Sequence, residues 1–302
     1  MSRTSTTKSQ PVFPRHVEPL CPASERAALA MKAIREARWS DAEKHIAAVP
    51  ESPLSDYAWR MYLSGWLDAE RDEFPPAQDN LLRAVSAALV IGLSGEKENA
   101  ESVMRLAAAA MEKLGDVYRR QECLEDAYRA HRAAYRLCEE HGSIDDQWQS
   151  LMSLAVDCTV ARRDDEAPRW CRAAVELSAK TTERPLEKHA QAWGRLARAW
   201  IVLGRSEEAV AAARSARDFW RRHDGAARTA PRADLDLAFA LMKSAEALYA
   251  TDAAQARTLL EEALSFLGTA AEELPPFGPE AVDDVRRCAE QTDFSRRLLY
   301  SL

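Results

Sequence analysis

Apolar and small residues recur along this chain in an order that no single helix requires. Around Ala127 the sequence reads LGDVYRRQECLEDAYRAHRAAYRL, around Ala167 LAVDCTVARRDDEAPRWCRAAVEL, and around Ala209 LARAWIVLGRSEEAVAAARSARDF. Each window opens with Leu and a small residue (Leu114-Gly115, Leu154-Ala155, Leu196-Ala197) and sets an apolar side chain three further on (Tyr118, Cys158, Trp200). Each then breaks and restarts with two small residues seven apart: Ala127 and Ala134, Ala167 and Ala174, Ala209 and Ala216. Spacings of three, four and seven fall on one helical face. The last window shows the break most plainly. Leu203-Gly204-Arg205 stops one helix, and Ser206 is expected to cap the next. The pattern predicts hairpins of two helices, with the small residues admitting a close crossing.

The aligned positions 127, 167 and 209 lie 40 and 42 residues apart. Weaker copies flank them at Ala42 and Ile46, at Ala77, Leu81 and Ala84, and at Ala256, Leu260 and Ala263. About six hairpins are expected, from near Pro22 to near Glu272. A last amphipathic stretch, 279–300, carries Val282, Val285, Cys288, Ala289, Phe294, Leu298 and Leu299 and suits a capping helix. The expected division is a flexible tail over 1–22, a repeat array over 23–272, and a linker with a capping helix over 273–302. One hairpin cannot cover its own apolar stripe, so successive hairpins stack and share a core.

With Met111, Leu114, Gly115, Tyr118, Ala127 and Ala134 in one window, and Trp193, Leu196, Ala197, Ala209 and Ala216 in another, the chain resembles the tetratricopeptide repeat. The usual unit is ~34 residues; these are longer, as in the arrays of kinesin light chains and some bacterial regulators. The resemblance implies an all-α, right-handed α-solenoid. It also implies that first helices line a concave groove where partners dock as extended or helical segments.

Composition narrows this picture. Hydrophobic residues make up 47% and charged ones 29% of 302 residues, enough to bury a core and stay soluble. No proline occurs between Ala77 and Ala167, which suits long helices. The net charge of -7 argues against a nucleic-acid partner, and no apolar run reaches the ~18 residues of a membrane span. The first 22 residues have no continuous apolar centre and read as a Ser/Thr/Pro tail, not an export signal. Six cysteines without CxxC or metal spacing read as reduced thiols, which places the chain in the cytoplasm.

Catalytic and cofactor patterns are not found: no HxxxH, HExxH, GxSxG, P-loop or GxGxxG. No metal, cofactor or enzymatic activity is therefore expected. His131 reads as a hydrogen-bonded interface residue. The pairs Asp164-Asp165 and Glu207-Glu208 read as helix-start caps, where carboxylates suit the dipole. Trp59, Tyr62, Leu63 and Trp66, at i, i+3, i+4 and i+7, read as a packing stripe.

Projection of the first helices turns Glu112, Lys113, Asp116, Arg119 and Arg120 toward the groove, then Gln149, Met152, Ser153, Val156 and Thr159, then Gln191, Arg195, Arg198 and Ile201. The candidate partner-binding residues are Lys113, Arg119, Arg120, Met152, Val156, Arg195 and Arg198, an apolar middle between arginines. Such a groove suits an acidic protein or peptide segment with apolar anchors, because arginine grips carboxylates through paired hydrogen bonds. The sequence thus reads as a non-enzymatic binding scaffold. The alternative is a peptide-responsive regulator that switches an effector by changing solenoid curvature.

Overall fold

The computed structural model describes residues 24–94, 97–222, 230–273 and 279–301. The expected tail, the linker residues 274–278, and the side chains of Val282 and Val285 lie outside what is described. Thirteen α-helices occupy the described residues, which contain no strand. They are α1 (Glu25–Arg35), α2 (Trp39–Ala47), α3 (Leu54–Glu70), α4 (Phe74–Ser94), α5 (Lys97–Arg120), α6 (Leu124–His141) and α7 (Ile144–Val160). After them come α8 (Ala167–Ser178), α9 (Pro185–Val202), α10 (Ser206–Arg221), α11 (Ala230–Leu248), α12 (Ala253–Glu273) and α13 (Pro279–Ser301). Each helix packs on the next in the chain.

The bend within a hairpin is built the same way five times. Ala37, Asp72, Glu122, Arg162 and Gly204 all have positive φ, each just past the end of an odd-numbered helix. In each case the following N–H (Arg38, Glu73, Cys123, Arg163, Arg205) donates to the carbonyl five residues back, at 2.8 to 2.9 Å. This is the main-chain closure of a Schellman turn. It corrects one expectation. Ser206 is the first residue of α10 and not its cap; Arg205 takes the cap position and no side chain closes it. Similarly, Asp164 and Asp165 sit in the turn before α8, where no side chain caps the helix at Glu166.

Odd-numbered helices approach one another across hairpins: α1 with α3, α3 with α5, α7 with α9, α9 with α11, and α11 with α13. The even-numbered helices make no comparably close approach among the described residues. The odd helices therefore form the inner layer of a curved array, and the even ones the outer.

The small residues hold the predicted register. Ala42, Ala77, Ala84, Ala127, Ala134, Ala167, Ala174, Ala209, Ala216, Ala256 and Ala263 are all buried. Trp59, Tyr62, Leu63 and Trp66 are buried too, as the packing stripe of α3. At Gly65 of α3 an added Cβ would lie 2.7 Å from Leu81 Cγ of α4, closer than real Cβ contacts go, and 3.0 Å from the Ala77 carbonyl oxygen. Replacing Ala134, fully buried, by Leu is expected to overpack its crossing and cost about 1–3 kcal/mol in urea unfolding. Wild-type stability in that variant would place the crossing elsewhere.

The apolar core is not continuous. Besides small clusters at α4–α5 and α7–α9, there are two main ones: one runs from Ala27 to Val117 through α1–α5, and the other from Tyr128 to Cys288 through α6–α13. Between them the α5–α7 contact is polar.

Candidate functional site

That polar seam starts from two sequence features. Gly115 on α5 has no Cβ, and an added one would fall inside the His131 imidazole of α6. The ring therefore enters the seam and is fully buried. Its Nδ1 hydrogen bonds Asp157 of α7, which is itself buried, and its Nε2 faces Asp116 Oδ1 at 3.7 Å, an ion-pair distance. Arg119 bridges the same two carboxylates, donating to Asp157 Oδ1 at 3.0 Å and to Asp116. Nearby, Glu112 accepts the Ser150 hydroxyl at 3.1 Å and that of Ser153, and Arg105 donates to Asp146 at 3.0 Å. His131 thus reads correctly from sequence as a hydrogen-bonded interface residue.

The charges tune one another. Burial by itself would lower the His131 pKa, but the Glu112 charge and the Asp116 and Asp157 carboxylates outweigh it and hold the imidazolium up to about 10. Burial raises the Glu112 carboxyl, only partly countered by His131. Burial also acts to raise Asp116, yet His131 and Arg119 together hold it well below the usual carboxylate range. Because the folded His131 pKa exceeds its ordinary 6.5, its stabilisation is complete below that pH and disappears as pH rises through about 10. The stability gap between wild type and His131→Gln is therefore expected to narrow over that interval. A gap independent of pH would mean the ring is neutral.

A second polar node lies farther along the inner layer. Arg198 of α9 donates to both Asp236 oxygens, at 2.9 and 3.0 Å, and Arg287 of α13 bonds the same carboxylate. Arg195, one turn before Arg198, is held down to about 10 by burial and then by the adjacent Arg198 charge. Burial raises the Asp236 carboxyl, but Arg198 and Arg287 leave it lowered overall. Arg195, Arg198 and Arg287 thus come together beside Asp236. Beside them, among the described residues a Cβ added to Gly194 would meet only Asp236 Oδ2, at 3.9 Å.

The remaining expected residues are placed differently from the projection. Lys113 lies over the Trp66 ring at 5.0 Å. Arg120 donates to the Ala69 carbonyl and to Asp72 and stacks on Phe74 at 5.1 Å, so it ties α5 to the α3–α4 turn. Met152 and Val156 are only 3% and 7% exposed. They do not form an open apolar middle, because every residue from Ser150 to Cys158 is buried and α7 is covered on all sides over that stretch. Arg195 and Arg198 come together. Arg119 belongs to the seam. Arg287 and Asp236 escaped sequence reasoning, although Arg119–Asp157 and Arg198–Asp236 share a 38-residue offset between opposite charges. That offset, close to the repeat length, was a usable signal for Asp236.

Among the described residues no group of His, Cys, Asp and Glu is arranged to hold a metal ion, and no helix is long and apolar enough to cross a membrane.

No family model matches the sequence, and no curated protein matches it significantly. Solved structures do match. The apo form of RapI superposes with a TM-score of 0.56 at 10% identity, covering 92% of this chain and 98% of its own. Aspartyl phosphate phosphatase F from Bacillus subtilis gives 0.54 at 10% identity, covering 90% and 69%. A putative kinesin light chain with nearly identical TPR-like repeats, from Podosopora anserina, gives 0.51 at 16% identity, covering 69% and 94%. Identities this low speak to the fold: the chain is a tetratricopeptide-type helical array.

Proposed function

We propose that this tetratricopeptide-type array is a non-enzymatic binding protein whose inner face takes a protein or peptide segment bearing carboxylates. The observation that carries the reading is the node where Arg198 and Arg287 bond Asp236 with Arg195 beside them, three guanidiniums brought together by two inner-layer helices. Guanidiniums bind carboxylates in a fixed fork geometry. Ile201 and Phe239, three residues beyond Arg198 and Asp236, are half-buried and offer apolar contact on the same side. They replace Met152 and Val156 as the anchor-binding groups. The five described cysteines are free thiols, four of them buried, which fits work in the cytoplasm.

The test is a fluorescence-anisotropy titration with peptides carrying two or three Asp or Glu residues beside one aromatic residue, against Lys-substituted counterparts. Preferential binding of the acidic set, weakening as salt is added, supports the reading. Equal binding of both sets, or of neither, removes it.

The polar seam favours a second reading, in which a bound segment changes curvature at α5–α7 and so switches an effector. Ion pairs can exchange partners without exposing apolar surface, and here they join two separate cores. Scattering profiles recorded with and without a binding peptide decide it. Unchanged dimensions leave a rigid scaffold.

A further inference from the structure

α4 is apolar on two faces. One is the buried repeat face, with Ala77, Leu81, Ala84, Val85, Ala88 and Ile91. The other is exposed: Leu82 at 44%, Leu89 at 37%, Val90 at 58% and Leu93 at 87%. The other exposed large hydrophobics of the described residues, Leu54, Val160, Leu186, Val202 and Tyr300, are scattered over α3, α7, α9 and α13, the two on α9 at its opposite ends, as is normal on a soluble surface. Four within three turns is a patch.

Three properties of this patch point to its occupant. Leu82, Ser86, Leu89 and Leu93 are spaced four, three and four, the spacing with which one helix seats on another along a seam. From Ala84 to Ser94 no side chain is charged, and the nearest charge, Arg83, is paired with Asp79 at 2.9 Å. The hydroxyls of Ser86 and Ser94 already donate to the Leu82 and Ile91 carbonyls, each at 2.8 Å, so covering the face strands no donor. A neutral face offers an oppositely charged partner no electrostatic gain, yet it is complementary to itself. We infer that a second copy of this chain covers it, α4 against α4 about a two-fold axis. Antiparallel pairing sets leucine against leucine, lets the small Ser86 approach the opposite helix, and leaves each Arg83–Asp79 pair at an outer end. Three turns of helix bury less than the roughly 800 Å² per partner of a standard interface, so the dimer is weak, with a midpoint on the order of tens of micromolar. α4 lies in the outer layer, so pairing leaves the inner face of both copies open and makes the dimer bivalent for its guest.

Sedimentation velocity on the full chain tests this. A concentration-dependent shift from monomer to dimer is expected, with the midpoint raised about tenfold or more in Leu89→Glu/Leu93→Glu. Both positions are exposed, so circular dichroism should be unchanged. The inference fails if the wild type stays monomeric at hundreds of micromolar. It fails equally if the variant dimerises at the wild-type midpoint, or if assembly continues past two. A monomer whose residues 1–22 become more protease-sensitive in the variant would assign the patch to the chain's own tail and also overturn it.

Discussion

Replacing Asp157 by Ala is expected to lower stability by about 3–5 kcal/mol, the usual cost of removing one member of a buried ion pair. Asp157 is 1% exposed and serves two cations at once, His131 through one oxygen and Arg119 through the other. Its loss takes the Nδ1 partner from a buried imidazolium and leaves His131 and Arg119 to share Asp116. Asp157→Asn should cost less, because it keeps the shape and one acceptor while losing the charge. A triple change, His131→Phe with Asp157→Leu and Arg119→Met, should recover much of the loss, since apolar side chains of similar bulk can replace a buried polar network. Urea unfolding followed by circular dichroism at neutral pH reads all three. If Asp157→Ala stays within about 1 kcal/mol of wild type, the seam is wetter than its geometry implies and contributes little.

Reversing two charges, Arg195→Glu with Arg198→Glu, is expected to weaken capture of an acidic peptide by about 100-fold or more, as losses at close charge pairs commonly do. The node would trade two guanidiniums for two carboxylates. The acidic guest would then meet repulsion, and Asp236 would lose the Arg198 fork. Arg198→Glu alone is the gentler form, because it keeps Arg195 and changes a side chain that is 44% exposed. Arg129→Glu, on a 70% exposed side chain of the outer layer, is the control and should bind as wild type does. Undiminished capture by the double variant at unchanged helicity would move the binding surface away from α9–α11.

What was legible beforehand follows from where each contact lies. The alanine register could be read because a hairpin crossing joins residues close in sequence, and the same spacing recurs at 127, 167 and 209. The bend was visible only at Gly204. Four of the five bends place Ala37, Asp72, Glu122 and Arg162 in the left-handed region, and of these only Asp72 belongs to a residue type that favours it, and weakly. Met152 and Val156 misled because projecting one helix onto a wheel assumes one open side, whereas α7 has none from Ser150 to Cys158. His131 was recognisable as an interface residue, but its partner Asp157 belongs to the next hairpin, 26 residues away. Arg287 lies 51 residues beyond Asp236, outside the repeat spacing, so no offset could have brought it to the node.

The bends closed by main chain alone carry one more consequence. A corner that asks nothing of its side chains can be copied, lost or moved along a gene without inventing a new loop. Such a chain can change how many units it carries, and hence how long a guest it spans, provided alanine or glycine is kept where two helices cross.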